Sequence, residues 1–220
     1  MPRTTAEISQ IVRTLQRTRS GWNPTSVAQI AEESRDPFRV LVSCLISLRT
    51  KDEVTAESSA RLFRLAATPR AMLALPAARI ARTIYPAGFY RTKARTIRAI
   101  SRTLLAEHGG RVPGELEALL RLKGVGRKTA NLVVTVGHGK PGICVDTHVH
   151  RISNRLGFVR TKTAEQTEFA LRAVLPRRFW IPYNDLLVSF GQNLCKPISP
   201  LCTRCPVQAL CPRLGVGRHR

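Results

Sequence analysis

Apolar residues recur at intervals of three or four along most of this chain, which is the spacing of an amphipathic helix. Apolar side chains at positions 8, 11, 12 and 15 predict a first helix over residues 5–18, and Gly21–Pro24 breaks it. Further helices are predicted, in chain order, from Pro37 to near Arg49, over 52–65, from Pro69 to Leu75, over 77–85, over 89–108, from Pro113 to Leu122, from Arg127 onward, from Asp146 to Leu156, over 163–175 and over 183–194. Because no useful stretch alternates at strand spacing, the predicted fold class is all-α.

The most informative stretch is the short turn Lys123-Gly124-Val125-Gly126 between two of these helices. Both glycines can adopt the positive φ values that other residues avoid, so the pattern predicts a helix-hairpin-helix. Without Cβ atoms there, a phosphate can approach the backbone and meet the N–H groups of the helix that opens at Arg127. A C-cap glycine followed by an ordinary turn is the simpler interpretation. The basic residues on either side of the turn favour an anion site, which would bind a phosphate whatever the neighbouring base.

Lys128 falls in the first turn of that second helix, where the helix dipole disfavours a cation. The helix N-terminus, cationic neighbours and partial burial each favour a neutral, nucleophilic amine. Asp146 precedes the apolar pattern of the next helix, which predicts an N-cap, and it is also a candidate base for the lysine proton. Together the two side chains suggest imine chemistry at a carbonyl or sugar carbon beside a bound phosphate.

The charge of the chain indicates a polyanion as partner. Its 220 residues include 36 Lys and Arg against 14 Asp and Glu, so the net charge is +22. A membrane surface is the competing anion, but no stretch is long enough to span a bilayer and no basic amphipathic anchor stands out. The N-terminal segment lacks an apolar signal core. We therefore expect an intracellular protein, cytoplasmic or in the nucleoid if the source is prokaryotic.

Six cysteines fall into two kinds. Cys44 and Cys144 have apolar neighbours, which predicts burial. The other four have the spacing C-x6-C-x2-C-x5-C: Cys195, Cys202, Cys205 and Cys211. An intracellular chain keeps thiols reduced, so paired disulfides are the weaker interpretation. Zinc usually takes two short C-x2-C pairs and only one is present, so the spacing favours an iron–sulfur cluster over zinc.

The segment LKGVGRKTANLVV, followed by VDTHVHRISNRLGF, resembles the endonuclease III branch of the helix-hairpin-helix DNA glycosylases. The segment FGQNLCKPISPLCTRCPVQALC resembles the C-terminal 4Fe-4S loop of the same enzymes. This resemblance covers about residues 5–213. It implies two helical domains with a DNA-binding cleft between them, one over 23–134 and one joining 1–22 to 135–220. It also implies that the four clustered cysteines hold a 4Fe-4S cluster.

The resemblance implies a reaction as well. A damaged nucleotide is extruded from the duplex, Lys128 attacks C1′ and displaces the base, and β-elimination cuts the strand on the 3′ side. Asp146 would activate the lysine or stabilise positive charge on the sugar. We expect a bifunctional DNA glycosylase and abasic-site (AP) lyase of base excision repair that removes oxidised pyrimidines. Its partner would be double-stranded DNA with damaged bases or abasic sites, bound by a monomer.

Two other functions compete with this expectation. One is a monofunctional mismatch or uracil glycosylase, and the other is a non-catalytic DNA-binding protein. Family relatives that remove mismatched bases generally lack the motif lysine. Lys128 therefore favours the bifunctional enzyme.

Other residues are expected to contact DNA on the same resemblance. Arg49 stands where the family usually has a glutamine that fills the gap in the duplex. The resemblance therefore does not decide which base is preferred opposite the lesion. Phe89 matches an apolar wedge, with simple packing as the alternative. His148 matches a position beside the flipped base, with a helix-surface histidine as the alternative. Hairpin contacts are expected from Lys123, Gly124, Val125, Gly126, Arg127 and Thr129. Arg213–Arg220 is predicted to be a basic tail with little order.

Overall fold

The computed structural model describes residues 3–22, 27, 29–30, 34 and 36–220. These residues form helices and turns with no β-strand among them, so the predicted all-α class is confirmed. The chain divides at positions 25/26 and 140/141 into two compact units. We call residues 26–140 the middle unit and the remainder the terminal unit. The break predicted over Gly21–Pro24 and the boundary predicted at 22/23 reach positions 23 and 24, which lie outside the described residues.

The described helices follow one another as the periodicity predicts. The terminal unit contributes α1 (Thr5–Arg17) and, after the middle unit, α9 (Thr147–Arg155), α10 (Ala164–Val174) and α11 (Trp180–Asn193). The middle unit contains α2 (Pro37–Ser47), α3 (Asp52–Leu65), α4 (Pro69–Ala74), α5 (Ala77–Ile84), α6 (Tyr90–Glu107), α7 (Leu116–Leu120) and α8 (Arg127–Leu132). Among the described residues, no helix is both long and apolar enough to cross a bilayer.

Helix α2 is central to the middle unit because most of its side chains are apolar and buried. Asp36 caps it by accepting a hydrogen bond from the N–H of Phe38 (2.8 Å), and Pro37 occupies the first turn, where its missing N–H is not needed. The helix packs against α3, α6 and α8. This packing fixes the start of α8, the helix that follows the predicted hairpin.

The terminal unit joins the first helix to the last ones. Thr4 and Glu7 form a capping box at the start of α1, in which the N–H of Thr4 donates to Oε2 of Glu7 (2.8 Å). The apolar face of α1 is buried in one core with residues of α9, α10 and α11. The core of the terminal unit therefore forms through contacts between distant parts of the chain.

The helix before the hairpin begins later than predicted. It starts at Leu116 rather than Pro113, because Glu115 keeps an extended backbone (φ −106°, ψ 137°). The Glu115 carboxylate forms an ion pair with Lys140 at 2.5 Å. Periodicity cannot reveal this delay, since a proline at position 113 is a normal helix start.

Two other boundaries also differ from the prediction. Helix α11 begins at Trp180 rather than Tyr183, because Pro182 lies in its first turn, where the helix needs no N–H. After α8 the chain continues as a π-helical turn over Val133–Gly137, a geometry that the apolar run does not indicate.

The C-terminal segment Arg213–Arg220 folds back on the cysteine-rich segment, and the predicted tail with little order is wrong. The N–H of Arg220 donates to the C=O of Pro200, and the N–H of Thr203 donates to the C=O of Arg220, both at 2.9 Å. These backbone bonds hold the basic tail against the loop that carries the clustered cysteines.

Candidate active site

The hairpin between α7 and α8 is a compact turn held by its own backbone. The N–H of Leu122 donates to the C=O of Leu119 (3.1 Å), and the N–H of Val125 donates to the C=O of Leu122 (3.0 Å). Val125 is buried, whereas Lys123 and both glycines are exposed. The turn is therefore anchored by one apolar side chain and presents a lysine and bare backbone to solvent. A DNA contact by Val125 would have to use its backbone.

The two glycines of the hairpin serve different purposes. Gly124 has φ 92°, and a Cβ there would lie 2.7 Å from Cγ2 of Thr96. Gly126 has φ −94° and is the N-cap of α8, and a Cβ there would have no heavy atom within 4 Å. The expectation of a positive φ is thus wrong for Gly126. Its missing side chain instead leaves open space in front of α8.

The first turn of α8 has no side-chain cap, because its N-cap is a glycine. Arg127 and Lys128 are half-buried on this turn. The Thr129 side chain is only 3% exposed, so a DNA contact by Thr129 would also have to use its backbone. The turn thus combines backbone N–H groups with cationic side chains, which suits a phosphate.

Lys128 lies close to the buried helix α2. Burial raises the pKa of the Cys44 thiol to about 12, whereas the nearby positive charge of Lys128 tends to lower that pKa. Cys44 and Cys144 are both buried, as predicted. Lys128 is therefore a half-buried cation that lies near a largely apolar, buried helix.

Asp146 is the N-cap of α9, as its sequence context predicts. Its Oδ1 accepts hydrogen bonds from the N–H groups of His148 and Val149, each at 2.9 Å. The helix therefore uses one carboxylate oxygen and fixes the side chain through it. Asp146 belongs to the terminal unit and Lys128 to the middle unit. Their proximity stays a prediction.

His148 is half-buried and packed within the terminal unit. Its Nδ1 lies 3.2 Å from Nη2 of Arg151, and the ring lies against α11 at Gly191, where any Cβ would collide with that nitrogen. Nη2 of Arg151 also donates to the C=O of Cys195 (2.9 Å). Sequence reasoning missed both Arg151 and Gly191. A glycine inside an apolar helix is the signal that could have indicated close packing at position 191.

Arg49 and Phe89 lie together, although they are far apart in the sequence. The guanidinium carbon of Arg49 is 5.4 Å from the centroid of the Phe89 ring, which is a cation–π contact. Both residues are exposed, and both have left-handed backbone conformations, with φ 53° and 57°. Phe89 is the N-cap of α6 rather than its first helical residue, as its φ requires.

The four clustered cysteines line one common, largely apolar cavity: Cys195, Cys202, Cys205 and Cys211. None of the six cysteines forms a disulfide. Burial raises the pKa of Cys205 to about 11 and also raises that of Cys211. Across the described residues, no three His, Cys, Asp or Glu side chains converge on a single ion. The four-sulfur donor set fits a cluster that takes one thiolate per iron.

Arg155, in the last turn of α9, holds the start of the cysteine-rich segment. Its Nη1 donates to the C=O of Lys196 (2.7 Å) and lies 3.5 Å from Sγ of Cys195, and its Nη2 donates to the C=O of Pro197 (2.7 Å). Sequence reasoning missed this residue. An arginine four positions after Arg151, on the same face of α9, is the available signal.

Comparisons with known proteins identify the family. Residues 42–177 match the HhH-GPD superfamily of base excision DNA repair proteins. Endonuclease III of Thermotoga maritima is 51% identical over 188 residues, which make up 84% of this chain and 88% of that protein. The chain belongs to the endonuclease III family. Endonuclease III-like protein 1 of Gallus gallus is 42% identical over 178 residues, 80% of this chain but only 63% of that protein.

A solved structure supports the same assignment. A trapped endonuclease III–DNA covalent intermediate matches with a TM-score of 0.85 and 33% identity, over 96% of this chain and 97% of that one. As an endonuclease III family member, the chain is a DNA glycosylase and AP lyase of base excision repair that binds DNA.

Proposed function

We propose that this endonuclease III family member removes oxidised pyrimidines from duplex DNA and cuts the strand through an imine on Lys128. The observation that carries the proposal is the position of Lys128, half-buried in the first turn of α8 and directly behind the glycine hairpin. A backbone phosphate held at the hairpin would bring a nearby sugar carbon within reach of the amine. The similarity to a trapped endonuclease III–DNA covalent intermediate supports covalent chemistry.

The proposed reaction begins with extrusion of the damaged nucleotide, because C1′ cannot be reached inside a stacked duplex. The Lys128 amine forms a bond to C1′ while the glycosidic C–N bond breaks, and the base leaves with the bonding electrons and gains a proton. Ring opening then gives a protonated imine between Lys128 and C1′. Loss of a proton from C2′ expels the 3′ phosphate, and hydrolysis of the imine releases the lysine.

Asp146 is proposed to accept the proton that the attacking amine loses and to stabilise positive charge on the sugar. Its hydrogen bonds to the first turn of α9 support this role, since they fix the carboxylate through Oδ1. Oδ2 is the oxygen proposed to face the reaction.

DNA binding is proposed to use two sets of contacts. The hairpin and the first turn of α8 bind the phosphate backbone, with Lys123 and Arg127 as the cationic members. The exposed pair Arg49 and Phe89 enters the duplex where the damaged nucleotide leaves it. His148 is proposed to border the flipped base, which agrees with its fixed position beside Asp146. We also propose that a monomer carries out these steps.

The four clustered cysteines are proposed to hold a 4Fe-4S cluster: Cys195, Cys202, Cys205 and Cys211. The shared cavity and the absence of disulfides among these residues support the proposal. When bound, such a cluster would tie four points of the C-terminal loop together. Arg151 and Arg155 then connect this loop to α9, whose N-cap is Asp146.

Borohydride trapping tests the lysine assignment. Reduction with a thymine glycol or abasic duplex should join the wild-type protein covalently to DNA, because borohydride reduces the imine to a stable amine. Lys128→Gln should abolish this product, while Lys162→Gln, which removes an exposed lysine elsewhere, should retain it. Gel electrophoresis under denaturing conditions measures the cross-linked fraction. Trapping that survives Lys128→Gln would assign the nucleophile to another residue.

A further inference from the structure

Lys93 on α6 is a buried lysine that the proposed reaction does not use. It is only 7% exposed, and among the described residues no carboxylate forms an ion pair with it. A buried ammonium is costly unless hydrogen bonds replace its water.

Three oxygens satisfy the Lys93 ammonium. Its Nζ donates to the C=O of Ile46 (2.6 Å), the C=O of Leu48 (2.5 Å) and Oγ1 of Thr50 (2.8 Å). Two of these acceptors belong to the residues on either side of Arg49. An ammonium has three protons, so each acceptor receives one.

The same contacts join the Arg49 turn to the start of α6. The N–H of Gly88 donates to Oγ1 of Thr50 (3.1 Å), and the backbone of Gly88 lies so close to the C=O of Arg49 that a Cβ would collide with it. Phe89 follows immediately. Lys93, Thr50 and Gly88 thus form one support beneath both exposed residues, which we call the Lys93 support.

This support has a specific task, because both exposed residues have unfavourable backbone conformations. A left-handed conformation is unfavourable for a residue other than glycine, because its Cβ approaches the backbone too closely. Arg49 and Phe89 both adopt it, and their side chains are in contact. Such a pair persists only if its surroundings hold it.

We propose that Lys93 is a positioning residue that keeps Arg49 and Phe89 preformed as a single two-residue probe for the gap left by the extruded nucleotide. This proposal rests on the proposed function. Lys93 acts through the probe and does not touch the reacting atoms. A probe assembled in advance lowers the entropy that must be lost when the duplex opens.

The protonation state of Lys93 agrees with this role. Burial lowers the pKa of Lys93 to about 8, so at pH 7 the side chain is mainly an ammonium. A neutral amine would have two protons for three acceptors. Assays at pH 7 therefore examine the fully bonded support.

Single-turnover excision of thymine glycol from two DNA substrates tests the proposal. One substrate carries the lesion in a complete duplex, and the other carries it in a short unpaired bubble, where little opening is needed. Lys93→Met should slow excision from the duplex about tenfold or more and leave the bubble rate close to wild type. Thr50→Val, which removes one acceptor, should cause a smaller loss of the same kind. Arg102→Met, which removes an exposed charge from the same helix, should change neither rate.

A second comparison separates positioning from a general loss of structure. If Lys93 acts through Arg49, Lys93→Met should have little further effect in an Arg49→Ala background. Equal losses on both substrates, or additive effects of the two substitutions, would overturn the proposal. If Lys93→Met fails to fold, Thr50→Val decides by the same duplex-to-bubble ratio. If wild type excises thymine glycol from neither substrate, the proposed function itself fails.

Discussion

At the scale of single residues, the two hairpin glycines look equivalent in the sequence but are not equivalent in the structure. Gly124 needs its freedom of φ and lies against Thr96, so the fold of the turn depends on it. Gly126 has an ordinary φ and open space around its Cα, so the fold does not require a glycine there. A bound ligand would require a glycine there if a phosphate approaches the backbone at this point.

Alanine substitutions should separate these two requirements. Gly124→Ala should lower the free energy of unfolding by about 1–2 kcal/mol, because it combines a strained φ with a steric contact. Gly126→Ala should leave the free energy of unfolding nearly unchanged but weaken duplex binding. Urea unfolding and fluorescence anisotropy with labelled DNA measure the two effects. Equal loss of stability in both variants would contradict this division.

At the scale of helices, α9 connects several features of the terminal unit. Asp146 caps its start, and its last residue, Arg155, binds the segment that starts with Cys195. Asp146 serves this helix as its cap whether or not it takes part in catalysis. The structural and chemical roles can therefore be tested separately.

Asp146→Asn and Asp146→Ala form the matched pair for this test. Asparagine can still cap a helix, so Asp146→Asn should keep the free energy of unfolding within a few tenths of a kcal/mol, whereas Asp146→Ala should lower it by about 1 kcal/mol. Both variants should lose base excision by about 100-fold or more, because neither side chain can accept the lysine proton. Thermal unfolding and single-turnover excision provide the measurements. Full activity in Asp146→Asn would exclude the base role.

The order of helices could be predicted from the sequence, because apolar periodicity and capping residues are local signals. Pro37, Pro69 and Asp146 each indicated a helix start that the structure contains. The left-handed conformation of Phe89 could not be predicted, since it depends on contacts with a turn some forty positions earlier. The same holds for the three acceptors of Lys93, which are brought together only by packing.

The reactive residues of the site could be predicted more completely than the residues that support them. The hairpin, the lysine and the cysteine spacing are short motifs, so their residue types could be recognised without the fold. Arg151 and Arg155 bind backbone carbonyls of a distant loop, and nothing in their local sequence specifies those partners. Residues that support a site are therefore harder to predict than the residues that form it.

At the scale of the whole molecule, the net charge of +22 is spread along the entire chain. Charge of this kind strengthens binding to any duplex through release of counterions, whatever the base sequence. It supplies affinity for DNA, whereas the choice of lesion must come from the site.

Duplex binding should therefore depend strongly on salt. If about four phosphates are neutralised, a plot of log K against log salt concentration should have a slope near −3.6. Lys123→Gln should reduce the magnitude of this slope by roughly one contact, or about 0.9. Anisotropy titrations at several salt concentrations measure both values. A slope near zero would mean that phosphate contacts contribute little.

The division of the chain into two units affects how it folds during synthesis on the ribosome. Residues 26–140 form a contiguous unit, so they can begin to fold as soon as they emerge from the exit tunnel. Helix α1 precedes the middle unit in the chain, yet the core that covers its apolar face includes residues of α11, which follow that unit. Throughout that interval the apolar face of α1 stays uncovered, and transiently exposed apolar surface of this kind makes a nascent chain prone to aggregation.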